Sequence, residues 1–130
     1  MYGFTTTLTG TTFDDALAKT VAALKVEGFG VLSDIDVQKA MKEKLGAEMA
    51  GYRILGACNP PLAHKAISAD PDIGLLLPCN VVVREGADGQ VTVGFMDPIA
   101  VLKLTDRPEI AELAKEVRGR LDRVAALIVK

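Results

Sequence analysis

Apolar and polar residues along the chain alternate with two different periods, and the switches between them mark out the elements. From Tyr2 to Leu8 large and small side chains take turns, with Tyr2, Phe4, Thr6 and Leu8 set against Gly3, Thr5 and Thr7, the period-two pattern of a strand. Thr12 followed by Asp14 and Asp15 has the form of a helix cap and first turn, predicting a helix to about Glu27. Its apolar positions Phe13, Leu17, Val21 and Leu24 are expected to be buried, and Gly28 is placed to end it. Gly30 to Ile35 reads as a second strand, after which Asp36 caps a short helix carrying Val37, Ala40, Met41 and Leu45 on one face and closed by Gly46.

Tyr52 to Cys58 is a third strand, and Asn59-Pro60 a cap and first helical residue, because proline's missing donor costs little there. That helix carries Leu62, Ala63, Ala66 and Ile67 until Asp70-Pro71-Asp72 breaks it, and Ile73 to Leu77 makes a further turn. Pro78 then introduces a strand from Cys79 to Glu85. Gly86-Ala87-Asp88-Gly89 forms a hairpin loop, and Gln90 to Met96 returns antiparallel. The segment 97–105 has no decisive pattern. Pro108 to Lys130 is a long helix striped by Ile110, Leu113, Ala114, Val117, Leu121, Val124 and Ile128. The order β-α-β-β-β-β-α, with small helices after the second and third strands, predicts an α+β fold: an antiparallel sheet covered on one face by two long helices.

Composition narrows the function. At 130 residues the chain is expected to form one domain, residues 1–130, and 49% hydrophobic with 25% charged residues excludes wholesale disorder. Fifteen basic against seventeen acidic residues give a net charge of −2, which argues against nucleic acid as a partner. No apolar stretch approaches the eighteen or so residues of a membrane span. The N-terminus has no positive charge before Lys19 and no long apolar run, so the cytoplasm is the expected location and a membrane is not an expected partner. Cys58 and Cys79 are then reduced thiols, and with His64 they are the only Cys and His side chains, too few for a four-ligand zinc site. Arg118, Arg120 and Arg123 suit the C-terminal half of the last helix and read as a solvated face. Gly28-Phe29-Gly30 follows a helix rather than a strand, so a dinucleotide-binding loop is excluded, and no Gly-Lys-Ser/Thr loop exists.

The chemistry that remains centres on a repeated dipeptide, Cys58-Asn59 at the end of the third strand and Cys79-Asn80 at the start of the fourth. If those strands are antiparallel neighbours, both dipeptides lie at one end of the sheet; a parallel crossover would separate them by a strand length. The antiparallel arrangement is the expected one, and the hairpin return then brings Asp97 to the same end, with His64 near the rim. Cys58 faces a helix N-terminus, which favours thiolate, but Pro60 and Pro61 remove two of its four free amides. Each residue also has a plainer explanation: small buried hydrophobes for the cysteines, a cap for Asn59, an idle exposed imidazole for His64, a turn for Asp97.

Ile54-Leu55-Gly56-Ala57-Cys58-Asn59-Pro60, Ala63-His64-Lys65-Ala66, Leu76-Leu77-Pro78-Cys79-Asn80-Val81-Val82-Val83 and Asp97-Pro98 together resemble the prokaryotic family called domain of unknown function 302. The resemblance spans nearly the whole chain. It implies a stand-alone β-α-β4-α domain of the shape seen in TATA-binding proteins, and a tendency to pair as a homodimer, but no agreed activity, and it leaves any cofactor unknown. Its signature falls on Cys58, Asn59, Pro60, Cys79, Asn80 and Asp97. Three readings follow: a binding module holding a small ligand at a polar edge of Cys58, Asn59, His64, Cys79, Asn80 and Asp97; a thiol enzyme or redox protein using Cys58 with Cys79; or a scaffold whose signature is structural. A metal is not expected, and the mid-helix Gly119, which costs about 1 kcal/mol relative to Ala, is consistent with a close helix approach in a dimer and equally with a kink or packing within one subunit.

Overall fold

The computed structural model describes residues 1–129, and Lys130, the expected last helical residue, lies outside them. Five strands, β1 (Gly3–Leu8), β2 (Gly30–Asp36), β3 (Tyr52–Cys58), β4 (Cys79–Glu85) and β5 (Val91–Met96), form one sheet in the order β1-β5-β4-β3-β2, with every neighbouring pair antiparallel. The helices are α1 (Phe13–Val26), α2 (Val37–Leu45), α3 (Pro60–Ala69), α4 (Pro98–Val101) and α5 (Pro108–Ile128), with 3-10 turns at Pro71–Leu76 and Leu102–Leu104. This is the expected α+β architecture, and the undecided segment 97–105 resolves into α4 and the second 3-10 turn.

Local signals explain most boundaries. Thr12, Asp36 and Asn59 accept from the backbone amides of Asp15, Lys39 and Leu62, which caps α1, α2 and α3. Gly46 ends α2 in the left-handed conformation, and Gly89 supplies the positive φ of the β4–β5 hairpin.

Alternation sorts the sheet into two faces. Val81, Val83, Val93, Phe95, Leu55 and Ala57 are buried beneath α1 and α5, whereas Tyr52, Ile54, Asn80, Val82 and Gly94 occupy the other face. The α5 stripe is buried as expected, with Leu113 half-buried.

Two helical expectations need correction. α1 buries Ala16, Thr20, Ala23 and Leu24 instead of Phe13, Leu17 and Val21. Small residues let α1 approach closely, while Phe13 and Leu17 close the core's margin and Val21 stays exposed. The Thr20 hydroxyl, though buried, donates to the Ala16 carbonyl at 2.8 Å and is satisfied. α2 buries none of its residues fully; its expected face is only half-covered and Leu45 is 74% exposed.

The basic residues of α5 are not an idle face either. Arg120 donates to the Glu27 carbonyl at 3.0 Å and Arg123 pairs with the Glu27 carboxylate at 2.9 Å, tying α5 to the end of α1. The buried apolar side chains fall into two clusters. One joins the sheet to α1 and most of α5; a smaller one gathers Ala66, Ile73, Leu102, Ile110 and Ala114 beneath α3 and the 3-10 turns.

Candidate functional site

β3 and β4 run antiparallel with Ala57 opposite Cys79 and Gly56 opposite Asn80, so the two Cys-Asn dipeptides do lie at one end of the sheet. Between that end, α3 and α5 lies a cavity of about 260 Å³. Ala57, Cys58 and Asn59 from the end of β3, Pro78 and Cys79 from the start of β4, and Leu62, Ala63 and Ala66 of α3 form much of its wall; Leu102, Leu113 and Val117 close it from the helical side. Residues of both apolar clusters line it, and Leu113, which packs against both, stands in its wall. The cavity is thus a gap between two cores that do not merge. Leu32, 71% exposed, and Ile67 mark its solvent side.

Among the described residues, no charged side chain lines this space. The polar side-chain groups that the described residues bring to it are two thiols and the Asn59 amide, and the amide oxygen is already engaged by the Leu62 N–H at 3.3 Å. Asn59 is 7% exposed, and its Nδ2 lies 2.9 Å from where a Cβ on Gly28 would sit, too close for one to be added without a shift. Gly28 also has φ +85°, so glycine there serves both the chain reversal after α1 and the close approach of Asn59.

Cys58 is half-buried and Cys79 is 6% exposed, both unbridged. Burial pushes the Cys58 thiol up from its ordinary value, because a thiolate there loses hydration. Burial, with the neighbouring Cys58 as a second contributor, pushes Cys79 up to about 11. Both thiols are therefore protonated at neutral pH, the opposite of an activated nucleophile.

Of the six expected site residues, the structure brings Cys58, Asn59 and Cys79 together on this wall and sets the other three elsewhere. Asn80 follows Cys79 in a strand and so points to the opposite face of the sheet, among Tyr52, Val82 and Met96 in a separate concavity. His64 is exposed on α3 between the inward-facing Leu62 and Ala66. Asp97 caps α4, accepting from the Ile99 amide at 3.0 Å, and pairs with Arg118 at 2.8 Å. The Arg118 guanidinium also lies 4.2 Å from the centroid of the Phe4 ring, which stacks on Phe95 at 5.1 Å. The wall is consequently apolar where a polar edge was expected. Among the described residues, no three His, Cys, Asp or Glu side chains are grouped to hold a metal, and no helix is long and apolar enough to cross a membrane.

Sequence reasoning missed the contributions of Leu102, Leu113 and Val117, which the fold brings to the wall from residues more than twenty positions past Cys79. The small residues Ala57, Ala63 and Ala66 are the one signal along the chain for a space left unfilled. Comparison with known proteins adds two findings. The family model described as Domain of unknown function DUF302 matches residues 4–128. A crystal structure of an uncharacterized conserved DUF302 protein from Bacillus stearothermophilus is similar at a TM-score of 0.88 and 27% identity, covering 98% of both chains.

Proposed function

The chain belongs to the DUF302 family, and from that premise we propose that it is a small-ligand-binding module whose ligand is neutral and largely apolar. The observation that carries this reading is the apolar gap between the two cores, lined by no charged side chain among the described residues. An ionic ligand would lose its hydration there with no counter-charge to replace it. Size follows from volume. A dry cavity of about 150 Å³ takes benzene, so 260 Å³ suits a molecule of about ten non-hydrogen atoms. At about −0.5 kcal/mol per atom, such a ligand binds with Kd on the order of 0.1–1 mM, and a ligand matched to the thiols and the amide binds more tightly.

Raised thiol pKa values favour this reading over thiol catalysis. We further propose that the protein pairs with a second copy: β2 is an open sheet edge, and Leu32, Ile35 and Leu45 on β2 and α2 expose apolar surface. Two free cysteines fit the reducing cytoplasm, and the net charge of −2 gives no basis for nucleic acid as a partner. Naphthalene, an uncharged ten-carbon probe, tests the site when added to isotope-labelled protein followed by NMR. Shifts should concentrate at Ala57, Ala63, Ala66 and Leu102. Shifts confined to Asn80 and Val82 on the other sheet face, or none near saturation of the probe, would refute the assignment. Sedimentation at micromolar concentration tests the pairing, and monomer alone would refute it.

A further inference from the structure

The two thiols that stand on the cavity wall can do more than contact a ligand. The β3–β4 ladder ends at the pair Ala57–Cys79, and Cys58 is one residue beyond it. With paired strands about 5 Å apart and a rise of about 3.3 Å per residue, the Cα atoms of Cys58 and Cys79 are about 6 Å apart. A disulfide spans about 4.4–6.8 Å between Cα atoms. Strict alternation would send Cys58 to the face opposite Cys79. Cys58 still pairs with Gly30 of β2, but it lies one residue past the last β3–β4 pair, and both cysteines border the same space. The thiols are also close enough for Cys58 to oppose ionisation of Cys79.

We propose that Cys58 and Cys79 form a modification site, a reversible intramolecular disulfide made by exchange with a small-molecule disulfide, and that the bridge narrows the cavity. The effect on the cavity rests on the binding reading above; the bridge itself does not. The Cys58 thiolate attacks one sulfur of the reagent, forming a mixed disulfide and releasing one thiolate. The Cys79 thiolate then attacks the Cys58 sulfur, closing the bridge and expelling the second. Two electrons pass to the reagent, and the two protons lost by the cysteines end on its two product thiols. Cys58 reacts first because it is the more exposed. Cys79, protonated until about pH 11, makes closure the slow step.

The test incubates the reduced full chain with glutathione disulfide, quenches with acid, and follows intact mass and modified peptides. A glutathione adduct on Cys58 should appear and then give way to a chain lacking two hydrogens, reversed by dithiothreitol. Adduct decay should quicken about tenfold per pH unit between pH 7.5 and 8.5, as the Cys79 thiolate fraction does. Cys79→Ala should stop at the adduct, and Cys58→Ser should stay unmodified over the same time. A lasting adduct on wild-type Cys58, disulfide-linked dimers, or no reaction while the urea-unfolded chain reacts would each overturn the bridge. Naphthalene titrated into reduced and oxidised protein separates the two claims. Binding at least tenfold weaker after oxidation supports the narrowing, equal binding in both states overturns it, and no binding to the reduced protein overturns the ligand reading while the mass result still decides the bridge.

Discussion

Asp97 is the signature residue whose role the structure reassigns most sharply, and its replacement gives a quantitative test. Its Oδ1 accepts from the Ile99 amide, capping α4 where β5 ends, while its Oδ2 meets Arg118 Nη1 at 2.8 Å. A lost cap costs about 1 kcal/mol. The ion pair is partly buried, with the side chains 17% and 30% exposed, and falls at the upper end of the surface range, about 1 kcal/mol. Asp97→Ala should therefore destabilise by about 2 kcal/mol. Asp97→Asn, which retains a capping oxygen but no charge, should cost about half as much. Arg118→Met keeps a stem over Phe4 but removes the ion pairs with Asp97 and Asp122 and the cation–π contact, and should cost about 1–2 kcal/mol. A double-mutant cycle of Asp97→Asn with Arg118→Met, measured by urea unfolding, should give a coupling of about 0.5–1 kcal/mol. Naphthalene affinity of Asp97→Asn should stay within twofold of wild type. Unchanged stability in Asp97→Ala together with lost probe binding would refute the reasoning and return Asp97 to the ligand site.

Three further outcomes follow from particular contacts. The folded-state pKa of Cys79 is raised from an ordinary 9.0 to about 11, so its contribution is fully present below about pH 9 and is lost as pH rises through about 11. Two units correspond to about 3 kcal/mol at most, and urea unfolding across that window should show a steeper loss for wild type than for Cys79→Ala; parallel profiles would contradict it. Gly119→Ala should stabilise by about 0.5–1 kcal/mol, since an added Cβ meets only Arg123 Nη1 at 3.7 Å within the chain; destabilisation or a changed oligomeric state would place that surface against a second copy. Gly28→Ala should lower stability by about 2 kcal/mol or more, from the positive φ and the pinned Asn59 amide, and a thermal midpoint equal to wild type would contradict that account.

The elements were legible because their signals are local. Thr12, Asp36 and Asn59 act as the caps their residue types suggest, and the period-two runs became strands of an antiparallel sheet, as expected, with the third and fourth strands neighbours. The site was legible only in part, for reasons of direction. Cys79 and Asn80 are both paired within the β3–β4 ladder, opposite Ala57 and Gly56, so alternation turns them to opposite faces of the sheet, as the period-two rule already implies. His64 sits between Leu62 and Ala66, whose i, i+4 spacing fixes the inward side of α3 and turns the imidazole to solvent. The role of Arg118 was out of reach, because Phe4 and Asp97 meet it only after β1 pairs with β5 and α5 folds back. The cavity was equally hidden: a gap between two clusters belongs to no single segment.

The central claim, that this gap holds a neutral apolar molecule, is tested most directly by titrating naphthalene calorimetrically into the reduced wild-type protein, Ala63→Leu and Asn80→Ala. Ala63 lines the cavity and Asn80 the opposite face of the sheet. The account predicts one site per chain in wild type and Asn80→Ala, and at least tenfold weaker binding in a folded Ala63→Leu, where three added carbons take up the space. Equal affinity in all three proteins, or loss in Asn80→Ala alone, would contradict it.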